Sequence, residues 1–425
     1  MLMYPSHRVR RYTYVTRAVR AVIALLVIGL ALPGCASGAT SSPSPSATPR
    51  PTSLSQASLR DLKMFSETTG WALADTLSGT SVVRTNDGGL HWTTVLGAKS
   101  KSVPFDFVPS ALDDHSATQA WVLGYLGAHS TASIQAVAIA FTSDGGEHWA
   151  TVSNLTVNGQ ASNLEFVDSF HGWVFATPSA GGVIGAQDTT LYRTVDGGVN
   201  WQIVKPPSQV RGNPAVHGTL PETCGFGVLD APSFMNAQDG WVAAPCDSRP
   251  FLYVSHDGGL NWAAQSLPAF PATTGEPNPP AYVTRSPRFI SAEDGFLIVL
   301  RGLTTGASQL QEAAIYVTHD GGATWTPNRL PQGELDVDFI DIQYGWFVGI
   351  SEVGGGLTRV LYATHDGGQT WRLIAGPQDY FDGDLSFVSS QVGFIALQSI
   401  KGQPGQFLKT IDGGATWTQL QAMIA

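Results

Sequence analysis

Apolar residues occur along this chain in short bursts, each closed by a turn-former. Leu335-Asp336-Val337-Asp338-Phe339 alternates apolar and polar positions with the period of two of a half-buried strand. Trp346-Phe347-Val348-Gly349 is mostly apolar, and Val360-Leu361-Tyr362-Ala363-Thr364 then leads into another turn. Such runs predict short β-strands in quick succession.

The bursts repeat. The pattern Ser/Thr-x-Asp-Gly-Gly-x-x-Trp occurs seven times, with its acid at Asp87, Asp144, Asp196, Asp257, Asp320, Asp366 and Asp412. The closing aromatics are Trp92, Trp149, Trp201, Trp262, Trp325, Trp371 and Trp417. Upstream of each copy stands a second mark: Gly70-Trp71, Ala120-Trp121, Gly172-Trp173, Gly240-Trp241, Gly295-Phe296, Gly345-Trp346 and Gly393-Phe394. Seven residues before that aromatic comes Met64, Phe166, Phe234, Phe289, Phe339 or Phe387, while the second copy has Asp114 there. Each unit therefore reads as four strands, A to D, with B opening at the second mark and C running into the Asp motif. Repeat lengths of 46 to 63 residues suit one four-stranded propeller blade. The predicted fold is all-β, a seven-bladed β-propeller of four-stranded antiparallel blades over residues 59–425. Since the first unit begins with its own strand A and the last ends with its own strand D, closure by packing is expected, without a swapped strand.

The Asp motif makes sense as the C–D hairpin turn. Its carboxylate can accept backbone N–H groups a few residues on, and its Gly pair permits the positive φ a tight hairpin needs. The Trp is expected to lie over the turn and cover the outer edge of the blade. Seven acids in seven separate blades cannot converge, so their role reads as structural. The histidines beside the motif (His91, His148, His256, His319 and His365) are spread around the same rim and read as solvated turn residues. No catalytic residue, metal site or cofactor is assigned.

Composition fits this picture. Only 13% of residues are charged, and Gly (47) and Pro (26) are abundant, as numerous turns require. The formal charge is −10, and residues 1–34 hold five Arg and no acid, so the remainder carries −15. A surface of that sign repels phosphate backbones, which excludes nucleic acid as a partner. Arg8, Arg10, Arg11, Arg17 and Arg20 precede an apolar run from Ala21 to Leu32. That run is too short to span a bilayer but suits a signal-peptide core. It ends at Leu32-Pro33-Gly34-Cys35, which resembles a bacterial lipobox. Residues 1–34 are thus expected to be a lipoprotein signal peptide, with Cys35 lipidated. Residues 35–58, rich in Ser, Pro and Thr, are expected to be a flexible tether. An extracytoplasmic, membrane-anchored and monomeric protein is expected.

Thr364-His365-Asp366-Gly367-Gly368-Gln369-Thr370-Trp371 resembles the Asp-box, or BNR repeat, of sialidases and related propellers. With the spacing of the upstream marks, residues 59–425 most resemble the photosystem II stability/assembly factor-like propellers. The resemblance implies the seven-bladed fold, export and, in several members, a lipid anchor. Asp-boxes occur in enzymes and non-enzymes alike, so the fold does not carry the function. Sialidases have an Arg-Ile-Pro signature early in the first blade, which this chain lacks. The photosystem relatives carry a basic Arg patch, whereas this chain is acidic.

Loop lengths bear on the binding face. The A–B and C–D turns are nearly constant, whereas the B–C loops and D–A connectors vary and leave the opposite face. Binding is expected there, at loops carried by a rigid scaffold. The candidate ligand residues are Asp379, Tyr380, Phe381, Asp382 and Asp384. Cys224 and Cys246 flank the A–B hairpin of the fourth unit, and in an oxidising compartment they are expected to form a disulfide. The leading function is a non-catalytic cell-surface module that binds or assembles with a protein or polysaccharide. The alternative is a glycan-active hydrolase using carboxylates on the loop-rich face.

Overall fold

The computed structural model describes residues 52–53, 57–97, 100, 103–104, 106–127, 134–177, 190–205, 231–243, 250–271, 281–302, 312–331, 333–353, 356–378, 383–397 and 405–425. Every regular element among them is a β-strand, and the strands fall into seven sheets, one per repeat. In the third blade Gln160–Phe166, Gly172–Thr177, Thr190–Thr194 and Gln202–Lys205 follow one another as antiparallel neighbours, in the order A-B-C-D.

The Asp-Gly-Gly turn forms for the reasons its residues suggest. Both glycines have positive φ in all seven copies, for example 75° at Gly197 and 92° at Gly198. The Thr194 hydroxyl donates to Asp196 Oδ1 at 2.8 Å and accepts from the Gly198 N–H at 3.0 Å. Asp196 Oδ1 also accepts from the Asn200 N–H at 2.9 Å, closing the turn. The Gly197 N–H donates to the Phe170 carbonyl in the A–B turn of the same blade, at 2.9 Å. The same bond recurs in all seven blades, which places both short turns on one face of the ring, as expected.

The Trp that closes the turn does not cover the outer edge of the blade. Its ring points inward and meets the strand-A aromatic edge-on: Trp201 on Phe166, Trp262 on Phe234, Trp371 on Phe339 and Trp417 on Phe387, with centroids 6.0–6.1 Å apart. In these blades the indole N–H still caps the turn, bonding the carbonyl of the second glycine. An indole folded inward removes far more apolar surface from water than one laid on a rim.

The hydrophobic core lies between blades. Each of the seven buried clusters joins two adjacent sheets, and the seventh joins the last blade to the first, so the ring is closed. The strand-B aromatic of one blade lies against the strand-A aromatic of the next. Trp173 stacks on Phe234 and Trp346 on Phe387, both with centroids 3.6 Å apart. Trp121 stacks on Phe166 at 4.2 Å.

This arrangement explains the glycine before the strand-B aromatic. A Cβ at Gly172 would sit 2.6 Å from the Phe166 ring, and one at Gly240 would sit 2.3 Å from the Phe234 ring. The glycine leaves room for the ring to lie flat on the neighbouring strand. The second blade breaks both marks together, with Ala120 for Gly and Asp114 for Phe. Without a ring to seat, the methyl group is tolerated. Gly172→Ala is therefore expected to destabilise the protein by about 1–3 kcal/mol in denaturant titration, whereas Ala120→Gly should cost less than about 1 kcal/mol.

Closure departs from the sequence expectation. Met423–Ile424 runs parallel to His91–Gly97, the strand D of the first blade, and pairs with its first two residues. Thr52–Ser53, inside the expected tether, pairs antiparallel with Met423–Ile424. The first sheet thus has six strands, with Met423–Ile424 and Thr52–Ser53 added at its outer edge. The physical reason is burial: Ala422 and Ile424 belong to the cluster between the seventh and first blades. Strand A of the first blade starts at Ala57, slightly before the expected boundary. In the fifth blade strand A is broken by Ser286-Pro287 into Ala281–Thr284 and Arg288–Phe289. A proline lacks the N–H that continuous pairing would use.

Candidate functional site

Strand A is the innermost strand of every blade, and the seven of them enclose a central channel of about 740 Å³. Strands A of the first, second, third and sixth blades each carry a bulge, at Arg60/Lys63, Pro109/Ala111, Ala161/Asn163 and Glu334/Asp336. Bulges re-aim side chains. In the first blade the bulge holds Asp61 at φ 52°, the one non-glycine residue with positive φ among the described residues. The Arg60 guanidinium stands beside it, 3.4 Å from Asp61 Oδ2 and 2.8 Å from Asp75 Oδ2.

In the second, third, fifth, sixth and seventh blades the residue before the strand-A aromatic position is bonded, as a stitch, to the next blade. Asp113 Oδ2 accepts from the Phe166 N–H at 2.6 Å, and Glu165 Oε2 accepts from the Phe234 N–H at 3.2 Å. Asp338 Oδ2 accepts from the Phe387 N–H at 2.7 Å, and the Ser386 hydroxyl accepts from the Met64 N–H at 3.0 Å. In the fifth blade this residue is Arg288, which donates instead to the Val337 carbonyl at 2.7 Å. The stitches satisfy backbone groups on an inner sheet edge that faces the channel.

Six carboxylates and three cations line the channel among the described residues. Arg60 is held by Asp75 and Asp61, and Arg288 lies 3.9 Å from Asp338. Asp113, Asp114 and Glu165 gather on the second and third blades. Withdrawal from water, and then repulsion from Asp113, push the Glu165 carboxyl well above its ordinary range, against the lowering effect of the Phe234 N–H. A carboxyl with a raised folded pKa costs nothing below its unfolded value of about 4.5 and destabilises progressively as pH rises above it. Glu165→Gln keeps an acceptor for Phe234 and loses the charge. The variant is expected to be about 1–3 kcal/mol more stable at pH 7 and no more stable at pH 4. Urea titrations at the two pH values check this.

The residues singled out from sequence fall in several places. The seven motif acids stay on the rim, each bonded within its own turn. Asp144 is held at about 2 by hydrogen bonds from the His148 backbone and side chain. Asp144, Glu147 and His148 form a close exposed group, and Asp144 Oδ2 already pairs with His148 Nδ1 at 2.7 Å. The rim histidines are less bare than expected: His256 pairs with Asp239 and His319 with Asp294, across from the A–B turn. Asp384 lies in strand A of the seventh blade and lines the channel. Asp379, Tyr380, Phe381 and Asp382 lie outside the described residues, as do Cys35, Cys224 and Cys246. The channel and its stitches were missed in the sequence. Their one signal is a polar residue directly before the strand-A aromatic in every regular repeat.

Comparison with known proteins extends the fold. Residues 329–423, the sixth and seventh blades, match the family described as Photosynthesis system II assembly factor YCF48. No curated protein matches the sequence. A solved structure described as YCF48 bound to D1 peptide is 19% identical, covering 85% of this chain and 96% of that one, with a TM-score of 0.48. The GH74 xyloglucanase from Xanthomonas campestris is 15% identical with a TM-score of 0.50, over 88% of this chain and 55% of the enzyme. An oligogalacturonate lyase from Vibrio parahaemolyticus reaches 0.53 at 7% identity, over 86% of this chain and 94% of the lyase. At such identities the likeness is one of fold. The chain is a seven-bladed β-propeller, and through its last two blades it is similar to the photosystem II assembly factors.

Proposed function

We propose that the chain is an extracytoplasmic, lipid-anchored propeller that binds or assembles with a protein or polysaccharide and performs no chemistry on it. The observation that carries this reading is the use to which the channel carboxylates are put. Asp113, Glu165 and Asp338 each accept a backbone N–H of the next blade, at equivalent positions of equivalent strands. A carboxylate repeated around a ring as a stitch is a scaffold element. The match of residues 329–423 to an assembly-factor family supports the same reading. Cross-linking of the full chain in its native membrane is expected to capture a partner. Cys35→Ser should move the protein out of the membrane fraction.

One observation favours the hydrolase alternative. Burial and a second acid, Asp113, push the Glu165 carboxyl well above its ordinary range, the direction a general acid needs. Reducing-end release from a panel of polysaccharides separates the readings. Turnover by the parent chain that disappears in Glu165→Gln would establish the hydrolase and overturn the binding module.

A further inference from the structure

The seven repeats serve as internal controls for one another, and the third departs from the rest on the turn face. Its A–B turn presents Phe170 and its C–D turn presents Val195 and Val199, which are 61%, 56% and 55% exposed. The Gly197 N–H donates to the Phe170 carbonyl at 2.9 Å and holds the two turns together, so the three side chains share one tip. The same positions hold Glu293, His319 and Ala323 in the fifth blade and Gln343, His365 and Gln369 in the sixth. In no other blade are all three apolar. Exposed apolar residues standing singly are ordinary, whereas a group of them marks contact with a protein or a membrane.

The carboxylates beside the tip already have their bonds. Asp168 accepts from the Phe170 and His171 N–H groups, both at 2.7 Å, and its second oxygen pairs with His171 Nδ1 at 2.8 Å. Asp196 is bonded to the Thr194 hydroxyl and to the backbone and side chain of Asn200. These bonds persist when the tip leaves bulk water, which lowers the cost of the transfer.

The point at which the chain enters the fold favours a membrane as the partner of this tip. Thr52 pairs with Ile424, which pairs with Trp92 at the close of the first blade's Asp-Gly-Gly turn. Entry is therefore beside the turn face. Thr52 follows Cys35 by seventeen residues, which span at most roughly 60 Å when fully extended. A lipid on Cys35 thus keeps the turn face within reach of the bilayer, at an effective concentration where a small apolar contact suffices. The net charge of −10 opposes an anionic surface, so the lipid expected beneath the tip is one without net charge.

We propose that the tip formed by Phe170, Val195 and Val199 inserts into the interface of the anchoring membrane, seating the propeller with its turn face down and its variable loops outward. This placement rests on the lipid-anchored reading and adds the orientation in which the binding face is presented.

The test uses the full lipidated chain in phosphatidylcholine vesicles doped with a phosphatidylcholine that carries a diazirine on its acyl chain. After photolysis, mass spectrometry is expected to find at least fivefold more lipid adduct on Phe170, Val195 and Val199 than on the fifth-blade turns. Phe170→Gln, Val195→His and Val199→Gln together copy the sixth-blade turns. The triple variant should float with the vesicles as the parent does, while its third-blade adduct falls to the fifth-blade level. If it folds poorly, the contrast between the two blades of the parent still decides. A parent that floats but labels both blades equally overturns the tip and leaves the anchor standing. A parent that does not float overturns both. A protein cross-linked to the tip in native membranes, with no lipid adduct in vesicles, would assign the tip to that protein and overturn the inference too.

Discussion

Replacing Trp346 with alanine is expected to cost about 3–5 kcal/mol, measured by denaturant titration. The indole is 1% exposed, stacks on Phe387 of the next blade with centroids 3.6 Å apart, and bonds the Gly413 carbonyl at 2.9 Å. Its removal empties a cluster that two blades share, so neither can collapse onto the gap without leaving its other neighbour. Trp346→Phe keeps the stacked ring and leaves the Gly413 carbonyl without its donor. It should cost about 1–2 kcal/mol. Leu373→Ala, on a side chain 53% exposed, should change stability by less than about 0.5 kcal/mol. A loss for Trp346→Ala no larger than that for Leu373→Ala would contradict a core located at the seams.

Deletion of Met423–Ala425 is the second large effect. The three residues supply the buried Ile424 side chain and three backbone bonds: Met423 N–H to Leu90, Ala425 N–H to Trp92, and Thr94 N–H to Ala425, at 2.8–2.9 Å. A loss of about 3–5 kcal/mol is expected from the side chain and the bonds together. The truncated chain should also become cleavable near Thr52–Ser53, whose partner strand is gone. Limited proteolysis with a thermal melt checks both. An unchanged melt would mean that packing between the seventh and first blades closes the ring unaided.

Local features were legible in the sequence because their causes are local. The Asp-Gly-Gly turn needs positive φ and an acceptor within five residues, and Asp196, Gly197 and Gly198 supply both. The count of blades followed from repetition. What could not be read depends on the neighbouring blade. The seven-residue spacing from Phe166 to Trp173 suggests a pair within one hairpin, yet Phe166 stacks on Trp121 and Trp173 on Phe234. Asp338 looks like the solvated half of an alternating strand until the Phe387 N–H of the next blade is brought to it. The C-terminal clasp was hidden for a related reason: Met423-Ile424-Ala425 carries too short a pattern to announce a strand, and its partner lies more than three hundred residues away. The seventh-blade acid Asp384 was singled out for a loop surface and instead faces the channel, because strand A begins at Gly383.

The first blade differs from the others on both sides. Toward the second blade, Asp114 stands where a ring would stack on Trp71, which instead meets Trp149 edge-on and bonds the Ser116 carbonyl. Toward the seventh, Met64 stands where five other blades carry Phe, and Thr52–Ser53 and Met423–Ile424 add their clasp. Five seams thus share one interchangeable lock, and a wheel made only of such locks could close out of phase or link end to end with a second copy. Keying a single blade on both flanks gives the circle a marked starting point, so that one chain has one way to join its own ends.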